Sequence, residues 1–127
     1  MVLKGIRVVD ISTLIAGPYC AMILGEMGAE VIKIEHPQGG DPGRAMGPPY
    51  VQGQSALALS MNRNKKSLTL DLSKEKAKEI FFGLLRDSQV VVENFRPDSV
   101  ESLGLDYQTL SQGRPDLVYC SVTGFGE

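Results

Sequence analysis

The chain has 127 residues and carries 13 basic against 15 acidic side chains, a net charge of −2. That length suits one domain able to bury a core without metals or disulfide staples, and 43% hydrophobic with 22% charged residues excludes disorder and low-complexity stalks. Mild acidity argues against nucleic-acid binding, which needs a basic surface, and no apolar run approaches the roughly 20 residues of a membrane span.

Residues 1–5 lack the basic start and long apolar stretch of a secretory signal, so a cytoplasmic protein is expected. The β-branched run at 6–11 (IRVVDI) predicts a buried strand. Gly17-Pro18 opens a predicted helix that runs to Met27, because proline suits a first helical turn. Tyr19, Met22, Ile23 and Met27 recur at helical spacing and are expected to form one apolar face. Gly28 stops it, and residues 30–35 (EVIKIE) form a second strand, completing a right-handed βαβ unit with parallel strands. Residues 36–55 hold five glycines and four prolines and are read as one long loop, of a length usually tied to function or mobility. Alternation at 67–72 (SLTLDL) predicts the next strand, with Ser73 as N-cap of a helix whose buried face is Ala77, Ile80, Phe81, Leu84 and Leu85. A strand at 89–92, short helices at 97–103 and 107–112, and a strand at 117–122 complete an open, mostly parallel α/β sheet.

In such sheets ligands bind beyond the carboxyl ends of the strands. That rule singles out residues 12–18, 35–37, 94–97 and 121–126 as linings of one crevice. The turn after the first strand is not G-x-G-x-x-G, and no Walker A motif occurs, which disfavours dinucleotide and ATP binding by those routes. Gly17-Pro18 is either a plain strand-to-helix turn or a ligand contact. The basic cluster Asn62-Arg63-Asn64-Lys65-Lys66 is either a phosphate grip or a solvated turn whose lysines protect a sheet edge. His36, the one histidine, is either a phosphate donor or an ordinary loop residue. Asn94 and Phe95 offer amide hydrogen bonding beside a flat apolar surface, although Asn94 equally suits a turn cap. Cys20 and Cys120 lack metal-site spacing and are read as buried, inert thiols; no metal is expected.

Several segments together resemble one family. LKGIRVVD, LIAGPYCAMILGEMGAEVIKIEHP, GDPGR, MNRNKKSLTLDL, VVVENFRP and YCSVTGFG are similar, in order and approximate spacing, to the start of class III coenzyme A transferases, the family of carnitine dehydratase and bile-acid-inducible protein F. The resemblance implies a Rossmann-like, mostly parallel open sheet with flanking helices. It implies an enzyme that moves coenzyme A from an acyl-CoA to a small carboxylic acid by covalent catalysis on an aspartate. The matching CoA-contacting positions are Leu14, His36, Leu70, Asn94 and Phe95, with Arg63 and Lys65 added on chemical grounds. His36 stands where many relatives have arginine. Ile15 stands where formyl-CoA transferases have glutamine, which argues against formyl-CoA or oxalate. The nucleophilic aspartate is expected beyond Glu127, so residues 1–127 are read as the N-terminal part of the CoA-binding domain, inactive alone, of an interlocked homodimer. An α-methylacyl-CoA racemase of the same family, or a CoA-binding module without turnover, are the alternatives; the long loop before KKSL favours the transferase branch.

Overall fold

The computed structural model describes residues 1–126. Its elements are β1 (Arg7–Asp10), α1 (Ala16–Glu26), β2 (Glu30–Glu35), a 3-10 turn (Pro42–Ala45), β3 (Tyr50–Val51), β4 (Gln54–Ser55), α2 (Ala56–Met61), β5 (Lys65–Thr69), α3 (Glu75–Arg86), β6 (Val90–Glu93), α4 (Pro97–Leu103), α5 (Tyr107–Leu110) and β7 (Val118–Ser121). Five strands form one sheet in the order β5-β2-β1-β6-β7, and every neighbouring pair is parallel. Chain order reverses between β1 and β6, which makes their carboxyl ends a topological switch point.

Both faces of the sheet are covered, as a parallel sheet requires. Side chains alternate along each strand, so Val8, Val31 and Val92 pack with Ala21 of α1 on one face. Val9, Ile34 and Val91 pack on the other with Phe81 and Leu85 of α3 and Val100 of α4. The α/β class and the parallel sheet agree with the expectation from sequence.

Details differ for physical reasons. The buried side of α1 is Gly17, Pro18, Ala21, Met22 and Gly25, whereas Tyr19, Ile23 and Met27 are 48%, 40% and 41% exposed. Small residues win that face because they let the helix backbone lie close to the sheet: a Cβ on Gly25 would stand 3.3 Å from Val31 Cγ2. Ile80 likewise points outward at 50% exposure. Ser73 does not cap α3. Its N–H and hydroxyl both donate to Asp71 Oδ1, and the helix begins two residues later. The long loop contains the 3-10 turn and the β3–β4 hairpin, and α2 follows it, capped by Ser55 Oγ accepting from Ala58 N–H at 3.3 Å. β5 starts at Lys65 rather than residue 67, which draws the basic cluster into the sheet.

Cys20 and Cys120 are free and partly buried. Burial, and then the adjacent Cys120 thiol, push the Cys20 thiol up, in keeping with an unreactive pair. No helix among the described residues is long and apolar enough to cross a membrane.

Candidate functional site

A cavity of about 560 Å³ opens at the carboxyl edge of the sheet. Its floor is apolar, from Ile11, Ile34, Leu70, Leu72, Phe95 and Leu103, and its rim carries Thr13, His36, Gln38, Asp71 and Ser73. A greasy floor with a few polar groups is the usual make-up of a small-molecule site.

Three of the seven sequence candidates, His36, Leu70 and Phe95, line it directly. His36 Nδ1 accepts from the Gln38 N–H at 3.1 Å, which leaves Nε2 facing Asp71 Oδ1 at 3.8 Å. Leu70 is fixed by its N–H donating to the Glu35 carbonyl at 2.9 Å. The Phe95 N–H donates to the buried Glu93 carboxylate at 2.7 Å.

Asn94 and Leu14 are not among the residues that line the cavity; they belong to the framework behind its wall. Asn94 Oδ1 accepts from the Thr13 N–H at 2.8 Å while its Nδ2 donates to the Thr13 carbonyl at 2.8 Å, tying β6 to the turn after β1. Leu14 adopts φ 67, a left-handed conformation uncommon for a leucine, and its N–H donates to Asp41 Oδ1 at 3.0 Å.

Arg63 and Lys65 are corrections. The Arg63 guanidinium pairs at 2.8 Å with Glu26, the last residue of α1, which places it at the amino edge of the sheet, away from the cavity. Lys65 is buried: its Nζ lies 2.8 Å from Asp10 Oδ2, 2.8 Å from the Pro18 carbonyl and 3.1 Å from Asn62 Oδ1. An ammonium already holding three oxygens has no donor left for a phosphate. Burial pushes it down from its ordinary value against the pull of Asp10.

Sequence reasoning missed the groups that support this wall. Lys33, at the centre of β2, is 1% exposed and pairs with Asp41 Oδ2 at 2.9 Å and Asp10 Oδ2 at 3.8 Å. Asp41 also caps the 3-10 turn, accepting from the Gly43 N–H at 2.8 Å. A lysine inside a β-branched run was the available signal, since an interior strand buries both faces and a charge there must be paired.

Glu35, the last residue of β2, accepts from Arg44 Nε and Nη2 at 2.8 Å each, from Ser67 Oγ at 2.8 Å and from the Asp41 N–H at 3.1 Å. Arg44, then Ser67 and the Asp41 N–H, outweigh burial and hold its carboxyl at about 2. The folded value lies below the ordinary 4.5, so this group stabilises the fold above 4.5 and that contribution disappears as pH falls towards about 2. Urea unfolding near pH 3 should therefore show a loss of stability relative to neutral pH that is smaller in Glu35→Gln; equal losses would refute this role.

An all-parallel, doubly covered sheet with a cavity at its switch point defines an α/β domain of the Rossmann kind. The particular family follows from comparison: residues 3–127 match the model of CoA-transferase family III, and the chain belongs to that family. It is 46% identical over 125 residues to the beta subunit of succinyl-CoA–L-malate CoA-transferase of Chloroflexus aurantiacus, covering 98% of this chain and 31% of that protein. Against human succinyl-CoA:glutarate CoA-transferase the identity is 41%, with 98% and 28% covered. The crystal structure of a CaiB/BaiF family protein from Brucella suis superposes with a TM-score of 0.90 at 41% identity, over 98% of this chain and 34% of that one. The chain thus spans about a third of the length of these relatives.

Proposed function

We propose that residues 1–127 are the CoA-binding N-terminal part of a CoA-transferase that moves coenzyme A from an acyl-CoA to a small carboxylic acid. The observation that carries this reading is the family match along residues 3–127 together with a cavity at the switch point lined by His36, Leu70 and Phe95. The apolar floor suits a flat base or a pantetheine arm, and the rim suits its amides and phosphates. By this reading an aspartate beyond Glu127 attacks the acyl-CoA carbonyl. Its carboxylate oxygen bonds to the acyl carbon as the carbon–sulfur bond breaks, and CoA leaves as thiolate. The thiolate then attacks the aspartyl carbonyl of that anhydride, releasing the donor acid and leaving an aspartyl-CoA thioester for the acceptor carboxylate. The role of residues 1–127 is to hold CoA and to keep water away from the anhydride. Relatives named for succinyl-CoA with malate or glutarate support a succinyl donor and a dicarboxylate acceptor.

The test is transfer from succinyl-CoA to malate, glutarate and mesaconate by the complete gene product, with CoA binding measured by titration calorimetry. Transfer to at least one acceptor is expected, and absence of CoA binding refutes the proposal. Epimerisation of a 2-methylacyl-CoA without transfer would favour the racemase instead.

His36 gives a graded check. Its ring offers a single outward donor, whereas a guanidinium grips phosphate at two points. His36→Arg is expected to tighten CoA binding by roughly 3- to 10-fold, and no change in affinity would remove His36 from the phosphate contact.

A further inference from the structure

The turn that follows β1 has an unusual property: side chains from four separate places bind its backbone. The Ser12 N–H donates to Asp10 Oδ1 at 3.0 Å and the Ser12 carbonyl accepts from Lys33 Nζ at 2.8 Å. Both backbone groups of Thr13 are bound by Asn94, and the Leu14 N–H by Asp41. An exposed loop normally leaves these groups to water. Here they are fixed by the protein, and the same turn supplies Ser12 and Thr13 to the cavity wall.

Lys33 stands at the centre of this arrangement. Its Cα partner on β1 is Asp10, and its ammonium reaches both Ser12 and Asp41, a residue from the long loop after β2. Lys33 and Lys65 balance Asp10 and Asp41, so four buried charges sum to zero. Asp41 Oδ2 makes no well-directed hydrogen bond and relies on the Lys33 charge. A buried ion cluster is weak evidence for stability, because desolvation offsets the attraction. What it does supply is a single geometry for everything bonded to it.

We propose that Lys33 is a positioning residue: acting through the Ser12 carbonyl and through Asp41, it holds the turn at residues 12–14 preformed, with Ser12 and Thr13 already in place on the cavity wall, so that ligand binds without having to order them. The consequence for CoA rests on the function proposed above; the ordering of the turn does not. Preorganisation of this kind raises affinity by removing an entropy cost from the binding step.

Hydrogen exchange on the unsubstituted complete gene product without ligand should show the amides of residues 12–14 protected as strongly as those of β1. Unprotected amides there overturn the proposal, whatever any variant does. The informative variant is Lys33→Met/Asp41→Asn. It removes one charge of each sign, leaves Asp10 paired with Lys65, and keeps an oxygen at position 41 for the Leu14 N–H. Exchange at 12–14 is expected to quicken more than tenfold while β1 and β6 keep their protection. CoA should bind about tenfold more weakly per folded molecule, the equivalent of ordering one residue on binding. Unchanged exchange at 12–14, or unchanged CoA affinity beside a loosened turn, overturns the proposal. An unsubstituted protein that fails to bind CoA refutes the functional reading, while the exchange measurements still decide whether Lys33 orders the turn.

Discussion

Lys65→Met is expected to cost about 3–5 kcal/mol of folding stability, the usual effect of removing one partner from a buried ion pair. The Lys65 side chain is 2% exposed and that of Asp10 is fully buried, at 2.8 Å. Without the ammonium, Asp10 keeps Lys33, 3.8 Å away, as its one cationic neighbour, and the Pro18 carbonyl loses a donor. Folded domains rest on only about 5–15 kcal/mol, so such a loss should appear as a large drop in the urea midpoint. Arg63→Met, two residues earlier in the same basic cluster, is expected to change stability by less than about 0.5 kcal/mol, since its pair with Glu26 is more than half exposed on the arginine side. Lys65→Met/Asp10→Asn should recover part of the loss, because no lone carboxylate remains. Equal, small effects of Lys65→Met and Arg63→Met in urea titrations would contradict the burial assigned to Lys65.

The second large effect is expected at Gly17. A Cβ built there overlaps Ser12 Cβ and Oγ and lies 3.5 Å from Asn94 Cγ. Ser12 has nowhere to retreat: its N–H, hydroxyl and carbonyl are held by Asp10 and Lys33. One extra methyl in so constrained a place typically costs up to about 3 kcal/mol. Gly17→Ala is therefore expected to lower stability by roughly that amount and, by displacing Ser12 and Thr13 from the cavity wall, to weaken CoA binding. Ser12→Gly/Gly17→Ala should recover part of the stability, because the overlap is removed. A Gly17→Ala protein with unchanged urea midpoint and CoA affinity would show that the turn yields more readily than its bonding implies. Of the two readings open from sequence, this geometry makes Gly17 a close-packing residue, with its effect on ligand passed through Ser12.

The periodic elements were legible because local pattern governs them. The β-branched runs around Val8, Val31 and Val91 must be buried whatever surrounds them, and they form the centre of the sheet. Helix faces were less legible. In α1 the large apolar side chains Tyr19, Ile23 and Met27 follow helical spacing, yet close approach to the sheet selects Gly17, Ala21 and Gly25 for the inside. Periodicity reports which residues share a face; it does not report how near the neighbouring layer comes.

For the site, the sequence alone determined the α/β class, the edge of the sheet at which the cavity opens, and the motif order that resembles the CoA-transferases. Those depend on short-range pattern and on strand direction, which a linear text carries. Only the tertiary structure decided which charges are spent. Lys65 and Arg63 are near neighbours in sequence, but one turns into the sheet to neutralise Asp10 and the other lies on the surface. Lys33, Asp10 and Asp41 are spread over 32 residues of strand, helix and loop and converge on one turn because the parallel register sets Asp10 beside Lys33 and the long loop folds Asp41 back over both. The energy of a charge depends on which other charges share its low-dielectric surroundings, and three-dimensional contact alone fixes that.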